Sequence, residues 1–246
     1  MKRFCRVTAL LMVLLIAASV LAGAAMAEGY KVKALTKGKW YTLTSEAKTN
    51  VLYKMTLKKD SYLFLEAENI TDDSVLEFEL YTRADGSWDN YCGGCGMGGG
   101  GRCTLVLAKG TYYIKTYNNA CTPKLKLTVE PLPKITNTTR GKAIRMKSGQ
   151  DVRVPMLAGM AGSRWYKIKT TRKQAIRVNV VNIWETEFNI IEIYDAKGNK
   201  LPVKYDENEW TVTTKRSLKA GTYYIRVNKP RFNYKQDGGY IDMMWS

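Results

Sequence analysis

The sequence contains no histidine among its 246 residues. That absence removes the imidazole base of serine and cysteine hydrolases and the commonest ligand of catalytic metals. Glycoside hydrolysis needs only paired carboxylates. The candidates are Glu66, Glu68, Asp72, Asp73, Glu77 and Glu79, or Asp206, Glu207 and Glu209. Nearly all fall on outward positions or in turns, so the chain is read as a non-enzyme. A phosphate-binding loop is missing too. The glycine-rich stretch Gly93 to Gly101 ends Gly-Arg-Cys between strand-like segments, not Gly-Lys-Ser/Thr at a helix start. Asp206-Glu207-Asn208-Glu209 lacks the spacing of a calcium-binding helix-loop-helix and reads as a solvated turn. No cofactor and no metal are expected.

Long apolar runs are scarce as well. One occurs, Ala9 to Val20, behind Lys2, Arg3 and Arg6 and ahead of Ala25-Met26-Ala27. This is the pattern of a secretory signal peptide over residues 1–27, and no second run is long enough to span a membrane. The expected mature chain is secreted, periplasmic or at the cell surface. Its 219 residues suit two domains of about 100 each. Losing three basic leader residues lowers the formal charge from +17 to +14. An exported protein this basic suits an anionic polysaccharide or cell-envelope polymer, whereas no motif points to nucleic acid. The lysines are spread along the chain, so the charge also fits simple solubility.

Cysteine is sparse and confined to one half. After Cys5 in the leader come Cys92, Cys95, Cys103 and Cys121. An even number in an oxidising compartment reads as two disulfides. A Cys92–Cys95 bond would close a very small loop, which leaves the two pairings that avoid it. A four-thiolate zinc knuckle is the rival, but the later spacings match no zinc ribbon.

What the chain does have, it has twice. Leu-Ala-Lys-Gly-Thr-Tyr-Tyr-Ile-Lys at 107–115 returns as Leu-Lys-Ala-Gly-Thr-Tyr-Tyr-Ile-Arg at 218–226, 111 residues later. Looser matches pair Tyr53 with Tyr166 and Leu80-Tyr81 with Ile193-Tyr194. A period this long means two copies of one domain. The expected divisions are 28–130 for the first copy, 131–140 for a Pro-containing linker and 141–246 for the second.

Both halves alternate with period two. Leu63, Leu65 and Ala67 do so, as do Ile176, Val178 and Val180, Leu125, Leu127 and Val129, and Ile241, Met243 and Trp245. Helix-period segments of useful length are absent after the leader. The expected fold is all-β: two tandem antiparallel β-sandwiches, jelly-roll-like. Each duplicated motif reads as a hairpin, with Gly110 or Gly221 able to take positive φ in the turn. Cys92 to Cys121 reads as a disulfide-stapled, Gly-rich loop.

The succession Trp165-Tyr166-Lys167-Ile168, Ile191 to Asn199 and Leu218 to Val227 resembles the bacterial pre-peptidase C-terminal domain, with a weaker copy in the first half. The resemblance implies a secreted β-sandwich that accompanies hydrolases without being catalytic. Some members bind structural protein or polysaccharide, and some bind calcium. No peptidase domain is present in this chain.

On the repeated strand, Tyr113, Lys115 and Tyr117 should point outward, as should Tyr224 and Arg226. With Trp88 and Tyr91 near the stapled loop, they are the candidate ligand-binding residues, since aromatic faces beside cations suit anionic sugars. Trp165, Trp245 and Tyr223 are assigned to the core. The expected function is a non-catalytic module binding an anionic envelope polymer or glycan. The alternative is a structural or protein-interaction unit, in which the outward tyrosines are buried between domains or against a protein partner.

Overall fold

Alternating aliphatic residues can bury only one face of a strand, so each half of the chain must build two sheets around a shared interior. The structure, a computed structural model, describes residues 30–43, 51–70, 75–98, 101–118, 123–158, 162–181, 191–206, 208–229 and 238–246. The expected leader and Cys121 lie outside these residues. Among the described residues, helix is limited to single 3-10 turns at Trp88–Asn90 and Arg140–Lys142.

The first nine strands are β1 (Lys31–Ala34), β2 (Trp40–Thr42), β3 (Val51–Leu57), β4 (Ser61–Glu68), β5 (Val75–Tyr81), β6 (Tyr91–Gly98), β7 (Arg102–Leu107), β8 (Gly110–Asn118) and β9 (Lys124–Pro131). They form sheet I, ordered β1-β3-β8-β5-β6, and sheet II, ordered β2-β9-β4-β7. The next nine are β10 (Ile144–Arg145), β11 (Val152–Met156), β12 (Gly162–Thr170), β13 (Arg177–Val181), β14 (Ile191–Asp195), β15 (Val203–Asp206), β16 (Thr211–Thr214), β17 (Gly221–Lys229) and β18 (Gly239–Trp245). These make sheet III, β10-β12-β17-β14, and sheet IV, β11-β18-β13-β16-β15. All pairings are antiparallel except those of the edge strands β1 with β3 and β10 with β12.

The alternation places the cores. Leu63, Leu65, Leu125 and Leu127 of sheet II face Met55, Phe78, Leu80 and Ile114 of sheet I. Val178, Val180, Ile241 and Met243 of sheet IV face Ile168, Ile193 and Ile225 of sheet III. Trp245 is buried in the second core, and its indole N–H donates to the Met146 carbonyl (3.2 Å).

The duplicated motif is not a hairpin. β7 belongs to sheet II and β8 to sheet I; β16 belongs to sheet IV and β17 to sheet III. The chain therefore crosses between facing sheets at each motif, and neither Gly110 nor Gly221 has a left-handed φ. A tyrosine fixes each crossing. The Tyr112 hydroxyl donates to the Ala108 carbonyl (2.9 Å) and the Tyr223 hydroxyl to the Lys219 carbonyl (2.8 Å). Each ring lies back over its own glycine, where a Cβ would sit 3.4 Å or 3.7 Å away. Burial pushes the Tyr112 phenol up to about 12, so it stays a donor at any physiological pH.

The strand orders differ at one point. β6 adds to sheet I beside β5, whereas its counterpart β15 adds to sheet IV beside β16. The Gly-rich segment is thus in part an ordered edge strand rather than a loop. Gly94 is required there: a Cβ would lie 2.4 Å from the Phe78 carbonyl oxygen. The Cys95–Cys103 disulfide ties β6 to β7 and so joins the two sheets of the first half. Cys92 is buried in the first core.

The halves meet through the outer faces of sheets II and IV. Val106, Leu132 and Leu157 are buried together, with Tyr62, Ile135 and Tyr240 packed on them. The Ala158 N–H donates to the Val106 carbonyl (2.7 Å), and Tyr62 meets Tyr240 edge to face. Arg153 lies over Tyr240 (4.2 Å) and pairs with Asp242. Residues 132–139 contain no strand or helix but are docked: the Asn137 amide donates to the Trp165 carbonyl, and the Trp165 N–H donates to the Asn137 carbonyl.

Two outcomes test this account. Tyr112→Phe and Tyr223→Phe should each lower stability by about 1 kcal/mol in urea unfolding, the net worth of one hydrogen bond with the ring retained; parent-like midpoints would show that the bonds do not hold the crossings. Peptide mapping under non-reducing conditions should find Cys95 joined to Cys103. Replacing Cys95 and Cys103 by serine should destabilise the first half by roughly 2.5 kcal/mol on loop-closure grounds and leave the cysteine-free second half unchanged.

Candidate functional site

Pairing across sheet I brings distant residues into rows. One row runs Lys54, Tyr113, Tyr81, Tyr91; the next runs Leu52, Lys115, Glu79, Gly94; a third contains Tyr117 and Glu77. Directly paired residues share a face. Tyr113, Lys115, Tyr117 and Tyr91 therefore all lie on the outer face of sheet I, on the strands β8 and β6.

This face is partly covered by the chain. The segment after β5 doubles back, with Asp85 accepting from the Asn90 side-chain amide and from the Ser87 N–H. Gly86 has φ of 60°, and a Cβ there would meet the Tyr30 ring at 3.3 Å. The turn carries Trp88 outward, 67% exposed, with its ring 5.1 Å from that of Tyr91. Beneath it Tyr81 and Leu52 are buried although they point away from the core.

The charges at the centre are bound to phenols. Glu79 accepts from the Tyr81 hydroxyl (2.5 Å) and the Tyr117 hydroxyl (2.6 Å). Lys115 lies 4.7 Å from the Tyr117 ring and 5.4 Å from that of Tyr30. Burial works against the Lys115 ammonium, but its contacts with Tyr117 and Tyr30 outweigh that and raise its pKa. Tyr117 is 38% exposed. The result is a half-buried cation held between two aromatic rings, on the same side of the sheet as Tyr91 and its ring partner Trp88.

The outer face of sheet III repeats the plan with a different outcome. Arg226, the counterpart of Lys115, pairs across strands with Trp165 and Glu192. Each of its three nitrogens donates internally: Nε to Ser163 (2.9 Å), Nη1 to Glu192 (3.1 Å) and Nη2 to Asn228 (2.8 Å). Its guanidinium lies over Trp165, which is half-buried on this outer face and not in the core. The reason is strand parity, since Trp165 precedes the inward Tyr166. Tyr224 faces outward with Arg140 over its ring (5.7 Å). None of these outward tyrosines lies at the junction between the halves, which uses Tyr62 and Tyr240 instead.

The sequence reading missed one feature. Glu79-Leu80-Tyr81 and Glu192-Ile193-Tyr194 are repeated Glu-x-Tyr triplets, and in both the tyrosine hydroxyl donates to the glutamate (2.5 and 2.8 Å). The triplet was visible at the repeat offset. Lys200 also donates to Glu192 (2.7 Å).

No family model matches the chain, and no curated protein matches it significantly. Solved structures similar to it include the pre-peptidase C-terminal domain of a Bacillus anthracis collagenase. That likeness has a TM-score of 0.33 and 14% identity and covers 42% of this chain and 94% of that one. The CUB1-EGF-CUB2 region of human MASP-1/3 is similar at TM-score 0.25 and 7% identity, covering 86% and 94%. The PBSX exported protein XepA is similar at 0.24 and 12%, covering 86% and 88%. At these levels only the residues of this chain bear on what it does.

The Glu192 network makes a pH prediction. Burial opposes its ionisation, but donation from Lys200 and Tyr194 and the charges of Lys200 and Arg226 lower its pKa on balance. A carboxylate lowered on folding contributes stability that is fully present above its unfolded value, about 4.3, and lost as pH falls below that through the folded value. Glu192→Gln should therefore be less stable than the parent at neutral pH, with the difference shrinking in acid. Thermal melts across pH 7 to 3 check this; a constant difference would mean that ionisation is not what matters.

Proposed function

We propose that this chain is a secreted, non-catalytic binding module for an anionic cell-envelope polymer or glycan, and that the outer face of sheet I is its contact surface. The observation that carries the reading is the placement of Lys115 against the Tyr30 and Tyr117 rings, on the face where the turn after β5 presents an exposed Trp88. Exposed aromatic planes stack on sugar rings, and a cation held among them meets an acidic substituent. Tyr113 and Tyr91 flank the same surface. Arg226 and Tyr224 contribute less in this reading. The arginine donors are already engaged within sheet III, and the tyrosine lies beneath Arg140.

A protein-interaction role would find its natural surface at the sheet edges. The edge strand β1 exposes Val32, yet Lys31 and Lys33 flank it, and edge lysines oppose the addition of another strand. This favours the polymer over a strand-adding protein partner.

The test is binding to an array of acidic glycans and wall polymers, followed by titration of the best ligand. Trp88→Ala and Tyr117→Ala should each weaken binding about five- to tenfold, equivalent to roughly 1 kcal/mol of lost stacking, with unchanged thermal midpoints. Tyr117→Phe keeps the ring and should bind like the parent. Lys115→Ala should flatten the salt dependence, because exposed charge contacts are screened within a Debye length of about 8 Å. If Trp88→Ala, Tyr117→Ala and Lys115→Ala all bind like the parent, this face is not the contact surface.

A further inference from the structure

Where the two sandwiches meet, the structure leaves an open cleft of about 790 Å³. Its walls come from three places: Lys58, Asp60 and Lys109 in the first half, Leu132 and Lys134 in the connecting segment, and Met156, Leu157 and Arg164 in the second half. Lys59 also lines it, so five cationic side chains face the single carboxylate of Asp60. The four lysines are exposed, and none makes an ion pair with a described residue.

Arg164 differs from the lysines, since only 6% of it is exposed. Its Nε donates to the Pro155 carbonyl (3.1 Å) and its Nη1 to the Ser163 carbonyl (3.0 Å). No carboxylate among the described residues forms an ion pair with it. Asp60 acts on it through space, while its own Oδ1 accepts from the Lys109 backbone N–H (2.8 Å). Burial lowers the pKa of Arg164 and outweighs the opposing fields of Tyr166 and Asp60. Buried arginines ordinarily have a carboxylate partner, and the planar fork of a guanidinium is suited to two parallel bonds from one oxyanion.

We infer that this cleft is an oxyanion site, distinct from the outer face of sheet I, that takes a phosphate, sulfate or carboxylate group on Arg164 with the lysines around it. The apolar side chains of Leu132, Leu157 and Met156 lie against whatever carries the anion. Because both halves line the cleft, an occupied site also fixes their relative orientation.

The experiment is a set of parallel titrations of the whole chain with inorganic phosphate, sulfate and acetate. The readout is the Arg164 Nε–H and Gly162 amide resonances in nitrogen-correlated NMR spectra. At least one anion should shift both signals saturably, and the anion that does so names the oxyanion. Lys58→Gln, Lys109→Gln and Lys134→Gln combined, all exposed positions, should raise the dissociation constant at least tenfold. Tyr117→Ala should leave it unchanged, which separates this site from the sheet I surface. Non-saturable shifts with all three anions, equal affinity in the triple variant, or loss of binding in Tyr117→Ala would each overturn the inference.

Discussion

The hydrogen bond from a tyrosine back to the carbonyl four residues before it, formed at Ala108 and again at Lys219, is the joint of this molecule. A sandwich has two interiors to align, one from each sheet, and the chain must pass between them without exposing apolar residues. It does so between Leu107 and Gly110 in the first half and between Thr214 and Gly221 in the second. The glycine admits the ring, the hydroxyl satisfies a corner carbonyl, and the next inward residues, Ile114 and Ile225, enter the core in register. The strand that starts at each corner is central in its sheet, β8 between β3 and β5 and β17 between β12 and β14. An error at the corner would turn the outward residues of that strand inward, because side chains alternate with period two.

With the corners alike, the halves diverge where the constraint is weaker. The strand ahead of the crossing strand can join either sheet at its edge. In the second half β15 stays with β16, its sequence neighbour. In the first, β6 pairs with β5 instead, and the Cys95–Cys103 bond holds it to β7 in the opposite sheet. The glycines then have a steric role as well as an entropic one, for the strand passes so close to Phe78 that a side chain at Gly94 would collide with its carbonyl. The same rearrangement brings Tyr91 next to Tyr81 and Trp88.

The all-β class and the inward positions of Leu63, Leu65, Ile176, Val178 and Ile241 were legible because burial on one face imposes a period on the sequence itself. The outward direction of Tyr113, Lys115 and Tyr117 followed from the same parity. Sheet membership was not legible. A turn-like Lys-Gly or Ala-Gly reads as a hairpin, and only the pairing partners reveal that the chain has changed sheets. Trp165 was misplaced because size was allowed to outweigh parity: it precedes the inward Tyr166, so it must face out, where it serves as a platform for Arg226. The cleft at the junction left no trace in any local pattern, since Lys58, Lys109, Lys134 and Arg164 are brought together only when the outer faces of sheets II and IV dock.

Three cations differ in what surrounds them. Arg226 is surrounded by acceptors on its own and neighbouring strands, and its field is closed within the protein. Lys115 is held by phenols, which orient the ammonium without neutralising it. Arg164 is held by backbone carbonyls, which supply dipoles but no charge, and the lysines of the cleft outnumber its described carboxylate, Asp60. A chain with a formal charge of +17 has too few carboxylates to pair every cation, and the six ion pairs among described residues use Glu66, Glu192 and Asp242 on the sheets and Glu209 in the turn before β16. Cations without an ion-pair partner among the described residues therefore remain on the outer face of sheet I, where Glu79 is engaged by the Tyr81 and Tyr117 hydroxyls, and in the cleft between the halves, where Asp60 faces the lysines. In the proposed readings an external anion would add negative charge at these two places, whereas on sheet III the Arg226 donors are already engaged by Ser163, Glu192 and Asn228.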